Sequence, residues 1–360
     1  MNCNIIYVFL YSQFTEMIIS SEISERFFPL LEKSRRIAVV THLNPDGDAV
    51  GSAVAMESFL TDLLGKQAKV IFSTEIPAQC RFVTEGSYPL TFLLSRDEAT
   101  DWISGSDLII CLDCSSFSRT GAPDQLLRER DCCKVLIDHH LNPESDTFDL
   151  CVSRIEISSA SELLFHLLKT SPLIDGDVTK LPSRCRTALL TGMTTDTNNF
   201  ANSVFPSTML MCSELIAAGT DREAVLEHIY NEYGENRIRA IGYLLHENMK
   251  ITADGLAYII VDKETIERFR IKDGDLEGLV NMPLAIKEVK MSILLKEDEG
   301  FFRVSIRSMR GISANSLARD KFNGGGHEQA AGGRLYFPGD IASREEAARY
   351  LECSSTDYLK

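Results

Sequence analysis

Two carboxylates one glycine apart, Asp46 and Asp48, follow closely on the imidazole of His42 in the stretch Thr41-His-Leu-Asn-Pro-Asp-Gly-Asp-Ala-Val-Gly-Ser52. Carboxylates held so near repel one another unless something cationic lies between them. Oxygen ligands joined by a single imidazole suit Mn²⁺ or Mg²⁺ better than a structural zinc. An apolar run, Ile37 to Val40, precedes the stretch, and a helix-like pattern from Ala49 to Leu64 follows it. With Asn44-Pro45 as the stop between them, the pattern predicts strand, tight turn and helix. His42, Asp46 and Asp48 then share the carboxyl end of a strand, where open α/β sheets bind their ligands. The plainer alternative is an acidic turn that caps the next helix, a role Asp48 could fill alone.

Further along, Asp107-Leu-Ile-Ile-Cys-Leu-Asp113 is a buried strand that ends in a carboxylate. Cys133-Lys-Val-Leu-Ile-Asp138 is another, running into His139 and His140, and a helix from Arg184 to roughly Thr195 leads into Asp196. His42, Asp46, Asp48, Asp113, His139 and Asp196 together offer four carboxylates and two imidazoles. The chemistry that needs such a set is two-metal hydrolysis, in which cations about 3.5–4 Å apart hold phosphoryl oxygens through an in-line displacement. Hydrogen bonds to neighbouring backbone would account for any one of these residues. They account poorly for six, because buried carboxylates at strand ends cost heavily unless paired or ligating.

A second group lies near the C-terminus. Gly324, Gly325 and Gly326 before His327 allow close backbone approach and an amide-lined anion site, with His327 as an added donor; a flexible turn is the alternative. Alternation in Phe302-Arg-Val-Ser-Ile-Arg-Ser308 places Arg303, Ser305 and Arg307 on one strand face, opposite Val304 and Ile306. A solvated sheet face explains that pattern as well, and Arg303 is left to it. His166, His228 and His246 sit on helices without acidic partners at ligand spacing and read as ordinary histidines.

Positioning the first group takes a sheet. Ser21 to Lys33 is an amphipathic helix, Lys69 to Phe72 a second strand, and Thr91 to Ser104 a helical segment. More helices follow over Ser159 to Lys169, Pro206 to Gly219 and Asp221 to Tyr230. Strands alternating with helices predict an α/β fold with a parallel, doubly wound sheet. Glu235 to Met249 fits a connector helix. Beyond it, Ile251 to Val261 and Val289 to Ser308 alternate around turn residues, which predicts a smaller α+β domain of hairpin-rich antiparallel or mixed sheet, with a helix over Ser313 to Arg319. The expected boundaries are 21–233, a connector over 234–249, and 250–358.

A chain of 360 residues has room for about two domains. Its net charge of −15 argues against long duplex nucleic acid, which calls for a basic face. A small anion carried by bound divalent cations is not excluded. Ten cysteines show no paired finger spacing, and Cys111 to Cys114 encloses Asp113 in an apolar strand. They read as small core residues of a reducing compartment. Ile5 to Tyr11 is too short to span a bilayer and has no basic leader, so no membrane partner and a cytoplasmic location are expected. Met17 is a candidate start that would make residues 1–16 dispensable.

With these residues assembled, the sequence resembles the DHH phosphoesterase family. The resemblance rests on His42-x-x-Pro-Asp-Gly-Asp-Ala-x-Gly-Ser52, Leu112-Asp113, Asp138-His-His140 and Thr195-Asp-Thr197, in that order. Gly324-Gly-Gly-His327 with Ala330-Ala-Gly332 resembles the family's DHH-associated C-terminal domain. Size and that motif point to the branch of nanoRNases and pAp phosphatases, which degrade very short single-stranded oligoribonucleotides and in many cases remove the 3′-phosphate of pAp. The resemblance implies two Mn²⁺, with Mg²⁺ as the alternative: His42, Asp46 and Asp196 on one ion, Asp48 and His139 on the other, Asp113 bridging. It implies a catalytic setting completed by Asp138, orienting the cluster, and by His140, meeting the scissile phosphate or leaving oxygen. Arg307, His327 and its glycines would grip substrate from the far wall of an interdomain cleft, and a homodimer would be in keeping with the family. Asn198 stands where relatives often have glycine, and Asn323 precedes three glycines where many have four. Three other readings compete: a hydrolase of linear cyclic-dinucleotide products such as pGpG and pApA, a pyrophosphatase, and a non-catalytic nucleotide-binding module. The C-terminal motif argues against the second, and the complete ligand set against the third.

Overall fold

The computed structural model describes residues 18–272 and 274–359. The run Ile5 to Tyr11 and the candidate start Met17 lie outside these residues. The chain divides into two compact units, the first ending at Glu232 and the second beginning at Tyr233.

In the first unit, helix α1 (Ser21–Lys33) is capped by Ser20 and buries Phe27 and Leu31. There follow β1 (Arg36–Val40), α2 (Gly47–Ser58), β2 (Gln67–Phe72), β3 (Leu90–Thr91), α3 (Arg96–Gly105), β4 (Leu108–Leu112), α4 (Asp124–Glu129), β5 (Cys133–Asp138) and β6 (Leu150–Ser153). Helices α5 (Ala160–Lys169), α6 (Ser183–Asp196), α7 (Pro206–Ala217) and α8 (Arg222–Tyr230) complete the unit. The six strands form one parallel sheet in the order β3-β2-β1-β4-β5-β6. Ile37, Ala38, Val39 and Leu108 to Leu112 are fully buried, as strands covered by helices on both faces must be. The strand order reverses between β1 and β4, so their carboxyl ends flank the crevice where such sheets hold ligands. The segment expected to be helical from Thr91 is split: Leu90 and Thr91 pair with Ile71 and Phe72 as an edge strand, and the helix starts at Arg96.

The second unit contains α9 (Glu235–Tyr243), β7 (Lys250–Ile251), β8 (Leu256–Val261), α10 (Lys263–Phe269), β9 (Met291–Glu297), β10 (Phe301–Ser308), α11 (Ala314–Lys321), β11 (Gly325–Gly326), β12 (Ala330–Tyr336) and α12 (Ala347–Ser355). Its sheet runs β11-β12-β10-β9-β8-β7 and is mixed, because β8 pairs parallel with β9 while the other neighbours are antiparallel. The α10 segment between β8 and β9 is a crossover, the connection parallel neighbours require, and it is why the sheet is not a plain series of hairpins. Ala240 of helix α9, expected to be a connector, belongs to the same buried cluster as Ile259, Val261 and Leu279 of this unit. No helix among the described residues is long and apolar enough to cross a membrane.

Helices α2 and α6 meet backbone to backbone. A Cβ placed on Gly51 would lie 2.6 Å from the Ala188 carbonyl oxygen and 2.7 Å from the Gly192 nitrogen. No flexible atom there can yield, so added bulk must part the helices. We expect Gly51→Ala to cost about 1–3 kcal/mol, the usual price of overpacking. Trp102 is the only tryptophan and belongs to the first unit, so its emission follows that unit's unfolding in urea. The midpoint should fall with an unchanged slope; an unmoved midpoint would mean the helices separate freely.

Candidate metal centre

The site begins at the carboxyl end of β1. Asp46 caps α2, its Oδ1 accepting from the amides of Asp48 and Ala49, each at 3.0 Å. The capping role considered for Asp48 therefore falls to Asp46. Asp48 is 1% exposed and instead accepts from the start of α5, Oδ2 from the Ala160 amide at 2.7 Å and Oδ1 from the Ser161 amide at 3.0 Å. A helix N-terminus favours negative charge in that position.

Asp113 follows β4 with φ at 51°, in the left-handed region. Such a conformation costs of order 1–3 kcal/mol and is over-represented at functional sites; here the Asp113 amide is anchored to the Ile137 carbonyl at 3.1 Å. The turn aims the two carboxylate oxygens at different rings. Oδ2 lies 3.5 Å from His42 Nε2, and Oδ1 lies 3.4 Å from His139 Nε2. His139 Nε2 is also 3.6 Å from Asp196 Oδ2 and 4.0 Å from Asp48 Oδ2.

Burial and mutual repulsion set the charges. Burial, then Asp113 and Asp196, push Asp48 well above the ordinary carboxylate value. Asp196 is pushed up to about 7, by burial first, against the attraction of His139. Burial opposes charge on His139, yet the Asp113 carboxylate and the neighbouring acids raise it to about 10. Protons are thus retained where a cation would otherwise balance the charge. Asp113 Oδ1 is buried with no hydrogen-bond donor, the condition of an oxygen built to bind an ion. The donor set of hard oxygens and two imidazoles fits Mn²⁺ or Mg²⁺.

Sets whose ligand atoms lie within 4.8 Å of one another include His42–Asp46–Asp113, Asp48–His139–Asp196 and Asp113–Asp138–His140. Asp196 thus lies with Asp48 and His139, whereas the resemblance implied His42 and Asp46 as its companions. The reason is the glycine contact: Asp48 lies three residues before Gly51 and Asp196 four after Gly192, so each shares a helix face with the glycine at the crossing. Asp138 is fully buried and accepts from His140 at both the amide (3.2 Å) and Nδ1 (2.8 Å). That pair fixes the orientation of the His140 ring.

The second unit holds the remaining candidates. Arg307 lies on β10 between Ser292 and Ala330. The Gly324 amide is spent on the Ala318 carbonyl at 3.2 Å and the His327 amide on the Ala330 carbonyl at 2.8 Å. Those two N–H groups form no anion cradle. Gly326, at φ 147°, lies where a Cβ would meet the Ala330 carbonyl oxygen at 2.6 Å, so the glycines fold this loop onto β12. Asn198 and Asn323 both have positive φ, 46° and 48°, which explains asparagine at positions where glycine also serves.

The histidines expected to lack acidic partners have them. His166 lies 3.6 Å from Glu162, His228 3.0 Å from Glu232 and His246 3.5 Å from Glu247. The first two pairs are one helical turn apart, a spacing visible in the sequence. The residues missed outright are Ala160 and Ser161, whose contribution is backbone; the start of α5 after Ser159 was the available signal.

Residues 36–193 match the model of the DHH family, N-terminal domain, and residues 255–349 the DHHA1 domain. The chain is 28% identical over 318 residues to the bifunctional oligoribonuclease and PAP phosphatase NrnA of Bacillus subtilis, covering 86% of this chain and 90% of that protein. It is 27% identical over 320 residues to the probable bifunctional oligoribonuclease and PAP phosphatase NrnA of Streptococcus mutans, covering 88% and 94%. Among solved structures, an exopolyphosphatase-related protein of Bacteroides fragilis superposes with a TM-score of 0.86 at 34% identity, over 95% of this chain and 98% of that one.

A ring held protonated cannot ligate a metal, so His139, raised to about 10, must release its proton to bind one. Mn²⁺ uptake should therefore tighten as pH rises from about 6 to about 9. Calorimetry in buffers of different ionisation enthalpy at neutral pH should read at least about one proton released per protein. Heats independent of the buffer would remove His139 from the ligand set.

Proposed function

Since the chain belongs to the DHH family, with a DHHA1 domain after the family's N-terminal domain, we propose that it is a metal-dependent phosphodiesterase degrading short single-stranded oligoribonucleotides to mononucleotides. Removal of the 3′-phosphate of pAp is the second activity proposed. The observation that carries this reading is Asp113, one oxygen turned to His42 and the other to His139, as suits a carboxylate shared by two cations. Names of relatives similar over most of their length support the substrate class.

In this reading His42, Asp46 and Asp113 would hold one divalent cation, and Asp48, Asp113, His139 and Asp196 the other, Mn²⁺ in preference to Mg²⁺. When bound, such ions supply Lewis-acid polarisation of the phosphoryl group and a water nucleophile at neutral pH. The protein's residues supply geometry. Asp113 would be shared between the ions, its carboxylate lying between the His42 and His139 rings. His140, held through Nδ1 by Asp138, contacts the scissile phosphate or the leaving oxygen through Nε2. Residues 21–233 would form the catalytic domain and 250–358 a substrate-binding domain that uses Arg307 and His327 with Gly324, Gly325 and Gly326, the 234–249 segment connecting them as part of the second unit. A net charge of −15 disfavours long strands, and the proposed location is the cytoplasm.

Linear dinucleotides are the second reading. The chain is 24% identical to the cyclic-di-AMP phosphodiesterase GdpP of Geobacillus thermodenitrificans, over 87% of this chain but 46% of that protein. A labelled ribo-tetramer, pApA and pAp, incubated in parallel with Mn²⁺ and then with chelator, separate these readings. We expect turnover of the tetramer that vanishes with chelator. Asp113→Ala should lower it by roughly 10²–10³-fold, the scale for loss of a preorganised electrostatic contact. Turnover confined to pApA would shift the substrate to dinucleotides, and a fully active Asp113→Ala protein would refute the metal site.

A further inference from the structure

Glu162, in the first turn of α5, is fully buried, an unusual place for a carboxylate with no cationic lysine or arginine against it. Its Oε2 accepts from the Ser158 amide at 3.1 Å, from the Ser158 hydroxyl, and from the Thr208 hydroxyl of α7 at 2.7 Å. Oε1 has no hydrogen-bond partner, and the nearest imidazole nitrogen, His166 Nε2, is 3.6 Å away. Burial opposes the charge, but His166 and the surrounding hydroxyls hold the carboxyl below the usual glutamate range. An apolar side chain would fill this space at lower cost. Rules of this kind are broken where function requires it.

What the carboxylate fixes is the turn 158–161. Ser159 caps α5 by accepting from the Glu162 amide at 3.0 Å, and Glu162 returns its side chain to the Ser158 amide, one residue before the cap. Ala160 and Ser161, inside that turn, donate to the two oxygens of Asp48. The turn has no slack on its other side. A Cβ on Gly192 would run into the Ser161 hydroxyl and come within 2.8 Å of Asp48 Oδ1. Movement of the turn is thus passed directly to Asp48.

We propose that Glu162 is a positioning residue for divalent-cation binding, acting through the Ala160 and Ser161 amides to hold Asp48 in its ligating orientation. This rests on the reading of Asp48 as a metal ligand. Side chains that orient ligands from behind typically change metal affinity by 10–100-fold when removed.

Mn²⁺ titration of the chelator-stripped full-length protein tests the proposal, with thermal melting of the metal-free form alongside. The wild type should take up two ions. Glu162→Ala should weaken one of them by about 10–100-fold and the other by less than about threefold. Glu162→Gln, whose amide oxygen can accept the same bonds, should restore most of the loss. If Glu162→Ala does not fold, Thr208→Val and Ser158→Ala, which each remove single donors, should weaken the same ion by a smaller factor. Wild-type affinity for both ions in the folded variants would overturn the proposal. So would equal weakening of both ions together with a lowered melting temperature. A wild type that takes up no second ion would instead overturn the two-metal reading itself.

Discussion

Repulsion among Asp46, Asp48, Asp113 and Asp196 is the constraint that the first unit has to satisfy. Within a low-dielectric interior, carboxylates this close are tolerated only if protons, donors or cations offset them. The fold uses all three kinds of compensation. Asp46 and Asp48 accept from helix N-termini, one from α2 and one from α5. Asp113 lies against three imidazoles, those of His42, His139 and His140. Asp196 and His139 keep protons that ordinary groups would have lost. The last of these is the one a bound divalent cation would replace.

That scaffold is rigid where the ligands converge. The parallel strands supply positions at their carboxyl ends, and the α2–α6 crossing supplies the remaining acid. Because Gly51 and Gly192 let the two helices touch through backbone, the separation of Asp48 from Asp196 is set by main-chain contact and not by adaptable side chains. Sites carried on such elements hold geometry more closely than sites carried on loops.

Much of this was readable in the chain itself. Asp113, Asp138 and His139 stand out because each ends a continuous apolar strand, and a buried strand announces itself by composition. The family membership and the two-part α/β architecture followed from the same residues. Which acids lie together did not follow. Asp196 groups with Asp48 because of how α6 crosses α2, a tertiary relation that no local pattern carries. The backbone donors at Ala160 and Ser161 were signalled only by the helix start after Ser159, because an amide has no residue type. Glu162 was legible only in hindsight, because a glutamate at a helix start ordinarily signifies a solvated capping residue. The glycines before His327 were legible only in part. Their composition suggested an anion cradle, yet two amides of that loop are consumed by its own packing.

The strand order carries a consequence for how the molecule is made. Strand β1 lies between β2 and β4, so one of its edges is covered once residues 67–72 emerge, while the other waits for residues 108–112. At about 5–20 residues per second of synthesis, that edge stays uncovered for seconds. It is an apolar strand with unpaired amides, the kind of surface that recruits other chains. The half-made sheet is therefore an aggregation-prone form of this protein, and the stretch between β2 and β4 sets how long that edge is at risk in each nascent chain.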